Sequence, residues 1–190
     1  MRKEMLAVGL ALTLVATAFG ASAFTSASVD VNSNMQVAAD ENALIGLQDQ
    51  SSGDIVDTTG NRLVINTSTG TAEGLNQNST VEIGNYDNIQ NGFAENDSAF
   101  SITNNAGEER DFTLSYTGYS ETNGVENVNF TVVDKGTGIV DSANETNDAT
   151  VNSVGTNSTR YVLVRINTTG ISSTGDLNGT LKVEATPSSP

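Results

Sequence analysis

Along residues 25–39, TSASVDVNSNMQVAA, apolar and polar side chains take turns: Ala27, Val29, Val31, Ser33, Met35 and Val37 on one row, Ser26, Ser28, Asp30, Asn32, Asn34 and Gln36 on the other. A period of two puts alternate side chains on opposite faces, which describes a β-strand with one apolar face. At about 3.3 Å per residue, some twelve such residues reach about 40 Å, where an ordinary strand has about five or six residues. A strand of that length at the start of a domain is either the first strand of its own sandwich or a strand lent to another molecule.

What precedes it sharpens the question. Arg2 and Lys3 form a positive start, an apolar run follows from Leu6 to Phe19, and Ala21-Ser22-Ala23 is a small-x-small cleavage site. This is the pattern of a secretory signal peptide over residues 1–23, with cleavage expected before Phe24. The apolar run is short for a membrane span, and neither a lipid-attachment Cys nor a second apolar segment is present. The expectation is a secreted, extracellular or cell-surface protein with no membrane partner after cleavage.

Of the eight basic residues, Arg2 and Lys3 belong to the leader, leaving Arg62, Arg110, Lys135, Arg160, Arg165 and Lys182; the 23 acidic residues less Glu4 leave 22. Residues 24–190 therefore carry a net charge near −16, which makes nucleic acid and anionic membrane poor partners. Such a charge repels itself in dilute buffer but is screened at about 1 M salt, where the Debye length is about 3 Å, so the composition reads as that of a halophile's exported protein. Cys is absent, so the fold gains nothing from disulfides.

Beyond the opening strand, short runs rich in β-branched and aromatic residues recur: ALIGL at 43–47, RLVIN at 62–66, TVEIG at 80–84, AFSIT at 99–103, DFTLSYT at 111–117, 125–133, RYVLVRI at 160–166 and TLKVEA at 180–185. Asn, Gly, Ser, Thr and Asp clusters separate them and supply turn chemistry. No window outside the leader has helical apolar spacing, so the fold class is all-β, an antiparallel β-sandwich. The expected inward faces are Phe100 and Ile102, Phe112, Leu114 and Tyr116, Val128, Phe130 and Val132, Tyr161, Leu163 and Ile166, and Leu181 and Val183. Residues 48–60 read as a polar turn region and 136–158 as a long surface loop. The domain organisation expected is a signal peptide at 1–23, an N-terminal strand at 24–39, a sandwich at 40–186 and a flexible tail at 187–190.

The chain has no His, which with the missing Cys removes Ser-His and Cys-His nucleophile pairs and ordinary zinc sites. With 22 scattered acids, pairs such as Glu108 and Glu109 or Asp54 and Asp57 fall together by chance, so no catalytic residues are assigned. No metal residues or cofactor are assigned either; calcium remains a weak alternative at the oxygen-rich stretches 141–148 and 95–98. Asn-x-Ser/Thr sequons occur at Asn66, Asn78, Asn96, Asn129, Asn144, Asn157, Asn167 and Asn178. Composition alone predicts about five, so the better candidates for N-linked glycans are those in turn-like stretches: Asn66, Asn78, Asn96, Asn144 and Asn157.

The order of leader, small-residue cleavage site, AFTS at 23–26, alternating strand and NALIGL at 42–47 resembles a family of haloarchaeal exported β-sandwich proteins and, more distantly, the TasA and camelysin proteins. The segment 99–115, AFSITNNAGEERDFTLS, is similar to that group's strand, Asn-rich turn and strand; FTS departs from the bacterial members' FSD start. The resemblance implies a jelly-roll-like sandwich with a long N-terminal strand. It also implies a subunit of an extracellular filament or pilus, a biofilm or cell-surface fibre assembled head to tail by donor-strand complementation. Ala27, Val29, Val31, Met35 and Val37 would be the subunit contacts. The alternative is a monomeric secreted or cell-surface glycoprotein module without assembly, which leaves open whether the strand pairs with its own chain or a neighbour.

Overall fold

The computed structural model describes residues 27–32, 36–38, 44–51, 55–58, 62–67, 75, 76, 78–118, 126–171, 177 and 179–189; the leader and its cleavage site lie outside them. Among these run strands β1 (Ala27–Asn32), β2 (Gln36–Ala38), β3 (Ile45–Asp49), β4 (Val56–Thr58), β5 (Arg62–Ile65), β6 (Thr80–Ile83) and β7 (Phe100–Asn104). They continue with β8 (Arg110–Thr117), β9 (Val128–Asp134), β10 (Gly138–Asn144), β11 (Ala149–Val154), β12 (Thr159–Asn167) and β13 (Thr180–Pro187). Two short 3₁₀ turns, Tyr86–Gln90 and Glu95–Asp97, lie between β6 and β7. Each β-branched run identified beyond residue 40 falls on a strand.

The strands form two antiparallel sheets packed face to face as a sandwich. One has the order β11-β8-β13-β1-β2-β5-β4; the other has the order β10-β9-β12-β7-β3, with β6 also paired to β12. Strand β12 spans that second sheet because its nine residues serve three partners: β9 along one edge, β7 at Thr159–Val162 and β6 at Val164–Asn167 along the other. Taking β1 with β7 to β13, the sequence of strands is β1-β13-β8-β11 over β7-β12-β9-β10, the double Greek key of a jelly roll. Strands β2 to β5 extend its two sheets.

Alternation along β8 and β13 is strict: Phe112, Leu114 and Tyr116, and Leu181, Val183 and Ala185, are buried while their neighbours are not. These residues meet Phe100, Ile102, Val128, Phe130, Val132, Val162, Val164 and Ile166 between the sheets. In β12 the expected inward face is corrected. Ile166 faces the sandwich core with Val162 and Val164, whereas Tyr161 and Leu163 point the other way into a second core with Ile89, Phe93 and Val133. The segment carrying the 3₁₀ turns covers that outer face, and Phe93 packs on Tyr161 at 5.7 Å between ring centroids. A strand buried on both faces shows no alternation from which its inward side can be chosen.

Four further expectations are corrected. The stretch 136–158 is no loop, because β10 pairs with β9 and β11 with β8. Both are outermost in their sheets, and both ladders shift register, between Ile139 and Asp141 and between Val151 and Val154. The residues they bury in the core are small, Ala143, Ala149, Val151 and Val154, each at 0–1 % exposure. The turn region 48–60 contains β4, paired with β5. Of the expected tail 187–190, Pro187 belongs to β13, and the Ser188 hydroxyl donates to Asp111 Oδ1 at 2.6 Å. The single long strand at 25–39 is two strands, β1 and β2, which pair antiparallel at Asn32 and Gln36. Asn32, Ser33 and Asn34 between them are turn formers, and Ser33 is the one polar residue in the apolar row.

Candidate functional site

The residues assigned to subunit contact fall on a ladder in the middle of the seven-stranded sheet. Strand β1 runs antiparallel to β13 over six positions, with Ala27 opposite Ala185, Val29 opposite Val183 and Val31 opposite Leu181. Those three β13 residues are among the most buried in the chain, at 0–1 % exposure. Val37, in β2, stands opposite Leu63 of β5, which is also fully buried. Met35 lies outside the described residues. The other edge of β13 is held by β8 over eight positions. Taking away residues 27–38 therefore leaves β13 firmly mounted, with a free edge from Thr180 to Ala185 and a free edge on β5. A long unpaired edge backed by a buried apolar row is a template for another strand.

The sequons divide by exposure. Asn66, Asn78, Asn96 and Asn157 are exposed, and Asn78 and Asn157 adopt positive φ, 52° and 58°, in tight turns. Asn144 is 5 % exposed and is corrected as a glycan candidate. Its Oδ1 accepts from the Thr146 amide, the Thr146 hydroxyl and the Asn147 amide, each at 2.9 Å, and so shapes the turn between β10 and β11. Asn129 and Asn167 are half-buried and bond within their own sequons, to the Thr131 hydroxyl and the Thr169 amide. Asn178 is outside the described residues.

The carboxylates of the two calcium stretches work inside the protein. Asp97 Oδ2 accepts from the Ala94 amide at 2.7 Å and its Oδ1 from Asn88 Nδ2 at 3.0 Å, joining the two 3₁₀ turns. Asp141 Oδ2 accepts from the Thr150 amide at 2.7 Å, tying β10 to β11. Among the described residues no three His, Cys, Asp or Glu side chains are grouped to hold a metal ion, and no helix is long and apolar enough to cross a membrane.

No family model, no curated protein and no solved structure matches the chain.

The geometry itself thus bears the argument. Among the described residues, one open surface hollow of about 370 Å³ lies beside Ile89, Phe93 and Lys135, and another of about 350 Å³ beside Glu82, Asn85, Asn96 and Asp97. With no His or Cys in the chain, neither can hold a Ser-His or Cys-His pair. Each basic side chain from Arg110 to Lys182 has an acidic partner: Glu108, Glu95, Asp134, Glu82 and Glu184 in turn. Arg165 also lies over the Tyr86 ring at 4.5 Å. The surface surplus is therefore entirely acidic. Among the described residues, the β13 edge that β1 fills runs over six positions.

Proposed function

We propose that the chain is a structural subunit of an extracellular filament, in which residues 24–39 of one copy fill the free edges of β13 and β5 of the next. The observation that supports this reading is the place of β1: the first strand of the jelly roll fills an interior position of the sheet and follows Phe24, the expected new N-terminus, by three residues. Of the five apolar side chains transferred to a neighbour, the four larger than Ala27 contribute on the order of 6 to 12 kcal/mol at about 1.5–3 each, comparable to the stability of a whole domain. The backbone ladder adds register, and a head-to-tail contact that does not close propagates into a fibre. The likeness to TasA-type proteins points the same way. Glycans would sit on the exposed Asn66, Asn78, Asn96 and Asn157. The reading involves no catalysis, cofactor or nucleic acid.

A specific observation favours a second reading, a monomeric secreted glycoprotein module: β1 pairs with β13 of its own chain in an unbroken six-residue register. Both readings use the same slot and differ in which copy fills it. A cysteine pair separates them, because the chain has no Cys and opposed Cα atoms in an antiparallel ladder are about 4.5–5.5 Å apart, within disulfide reach. Residues 24–190 carrying Val29→Cys and Val183→Cys are oxidised in molar salt and run on a denaturing gel. The filament gives a covalent ladder of multimers, and negative-stain images show fibres. A single band with an internal bridge and no fibres at high protein concentration leaves the module as the answer.

A further inference from the structure

Three buried oxygens at one end of the sandwich lack any partner. Glu145, just beyond β10, points one carboxylate oxygen at the start of β9: Oε1 accepts from the Val128 amide at 2.7 Å and the Asn127 amide at 3.1 Å. Its Oε2 is buried and unbonded. Asn127, 1 % exposed, donates from Nδ2 to the Asn167 carbonyl at 2.9 Å and leaves Oδ1 buried and unbonded. Tyr116, 4 % exposed, packs its ring on Phe130 at 5.2 Å, and its hydroxyl is buried and unbonded too. Phe130 is opposite Ala143 in the β9–β10 ladder, two residues before Glu145, which brings the phenol toward the same end. A Cβ on Gly118 or Gly179 would stand 2.3 Å from the Tyr116 oxygen, so the phenol fits against these two backbones only because both positions are glycine.

The electrostatics are one-sided. Burial pushes the Tyr116 hydroxyl far above its ordinary value and the charge of Glu145 adds to it, so the phenol is neutral at any ordinary pH. Burial likewise raises Glu145, and the charged side chain that faces it is another acid, Glu126. The basic side chains from Arg110 to Lys182 all have partners elsewhere. Buried charge is ordinarily paired or bound to a metal ion. Buried polar atoms ordinarily have a partner.

We propose that Glu145 Oε2, Asn127 Oδ1 and Tyr116 Oη hold a hard monovalent cation, sodium or potassium, that clamps β8, the start of β9 and the end of β10. Oxygen donors select hard cations, and a single carboxylate beside two neutral oxygens balances one positive charge rather than the two of calcium. An ion bound only by the folded chain stabilises it by mass action, so its mark is a dependence on which cation is present at fixed ionic strength.

The test measures melting of residues 24–190 in sodium, potassium or choline chloride at one molar ionic strength, with a further sample in which a few millimolar calcium replaces sodium charge for charge. The expected result is a melting temperature about 2–4 °C or more higher in sodium or potassium than in choline, which is too large for the site. That difference should vanish in Glu145→Gln, which keeps an oxygen for the Asn127 and Val128 amides, and shrink in Tyr116→Phe. Equal melting in all three salts overturns the proposal and leaves the oxygens to a buried water. So does a cation preference that survives in Tyr116→Phe undiminished, a variant that keeps the ring packing should Glu145→Gln fail to fold. A rise with calcium beyond that with sodium overturns the monovalent assignment.

Discussion

Short polar side chains hold many of the turns here. Asp134 is an instance: its Oδ1 accepts from the Gly136 and Thr137 amides at 2.9 and 3.1 Å, and its Oδ2 meets Arg160 Nη1 at 3.0 Å. Burial pushes its carboxyl up, but the amides and Arg160 outweigh burial and hold it below the ordinary carboxylate range. A carboxylate lowered in this way stabilises the fold above its unfolded value and loses that contribution as pH falls through its folded value. Asp134→Asn should therefore be less stable than the parent at pH 7, by about 1 kcal/mol, and the gap should close below about pH 4. Urea midpoints at pH 7, 5 and 3 check this, and a gap unchanged at pH 3 assigns the effect to geometry instead of charge. Asn144 shows the limit of reading such residues from the chain: the sequon is visible, but the same amide oxygen caps three donors in a buried turn.

Among the elements, β12 is the one whose two faces both matter. Leu163 has no exposure although it lies on the outer side of its sheet, because residues 86–97 cover it. Leu163→Ala should cost about 2–5 kcal/mol, as a buried leucine between two sandwiched sheets would. Ile139, a β-branched residue on edge strand β10, is 55 % exposed, and Ile139→Thr should change stability by less than about 0.5 kcal/mol. Chemical denaturation of the two variants gives the comparison; equal losses would mean that the outer layer does not fold as part of the core. The strands readable from the chain were those with a compact or alternating apolar set, such as Phe100 and Ile102, Phe112 to Tyr116 and Tyr161 to Ile166. Strand β4, with its three residues Val56, Asp57 and Thr58, and the outermost β10 and β11 escaped notice because each pairs with a single strand and sets few large apolar side chains among polar ones.

At the scale of the whole molecule, 22 acids against six bases in residues 24–190 make the fold dependent on screening. From molar salt to about 0.01 M the Debye length grows from about 3 to about 30 Å, and the surface acids then repel one another across the domain. The melting temperature should fall steadily over that range in choline chloride as well as sodium chloride, which sets this general effect apart from the ion clamp; a flat response would remove the reading of a chain adapted to brine. Composition and periodicity by themselves determined the all-β class, the antiparallel pairing and most of the core, because a two-residue alternation and the turn residues between strands are local properties. Only the tertiary structure decided that Ala27–Asn32 and Gln36–Ala38 are two strands, one beside β13 and one beside β5, that Tyr161 and Leu163 face a second core, and that Glu145, Asn127 and Tyr116 share one end of the sandwich. Each of these depends on which distant segment covers a face or opposes a backbone edge, and pairings between strands more than a hundred residues apart leave no mark on either strand's own pattern.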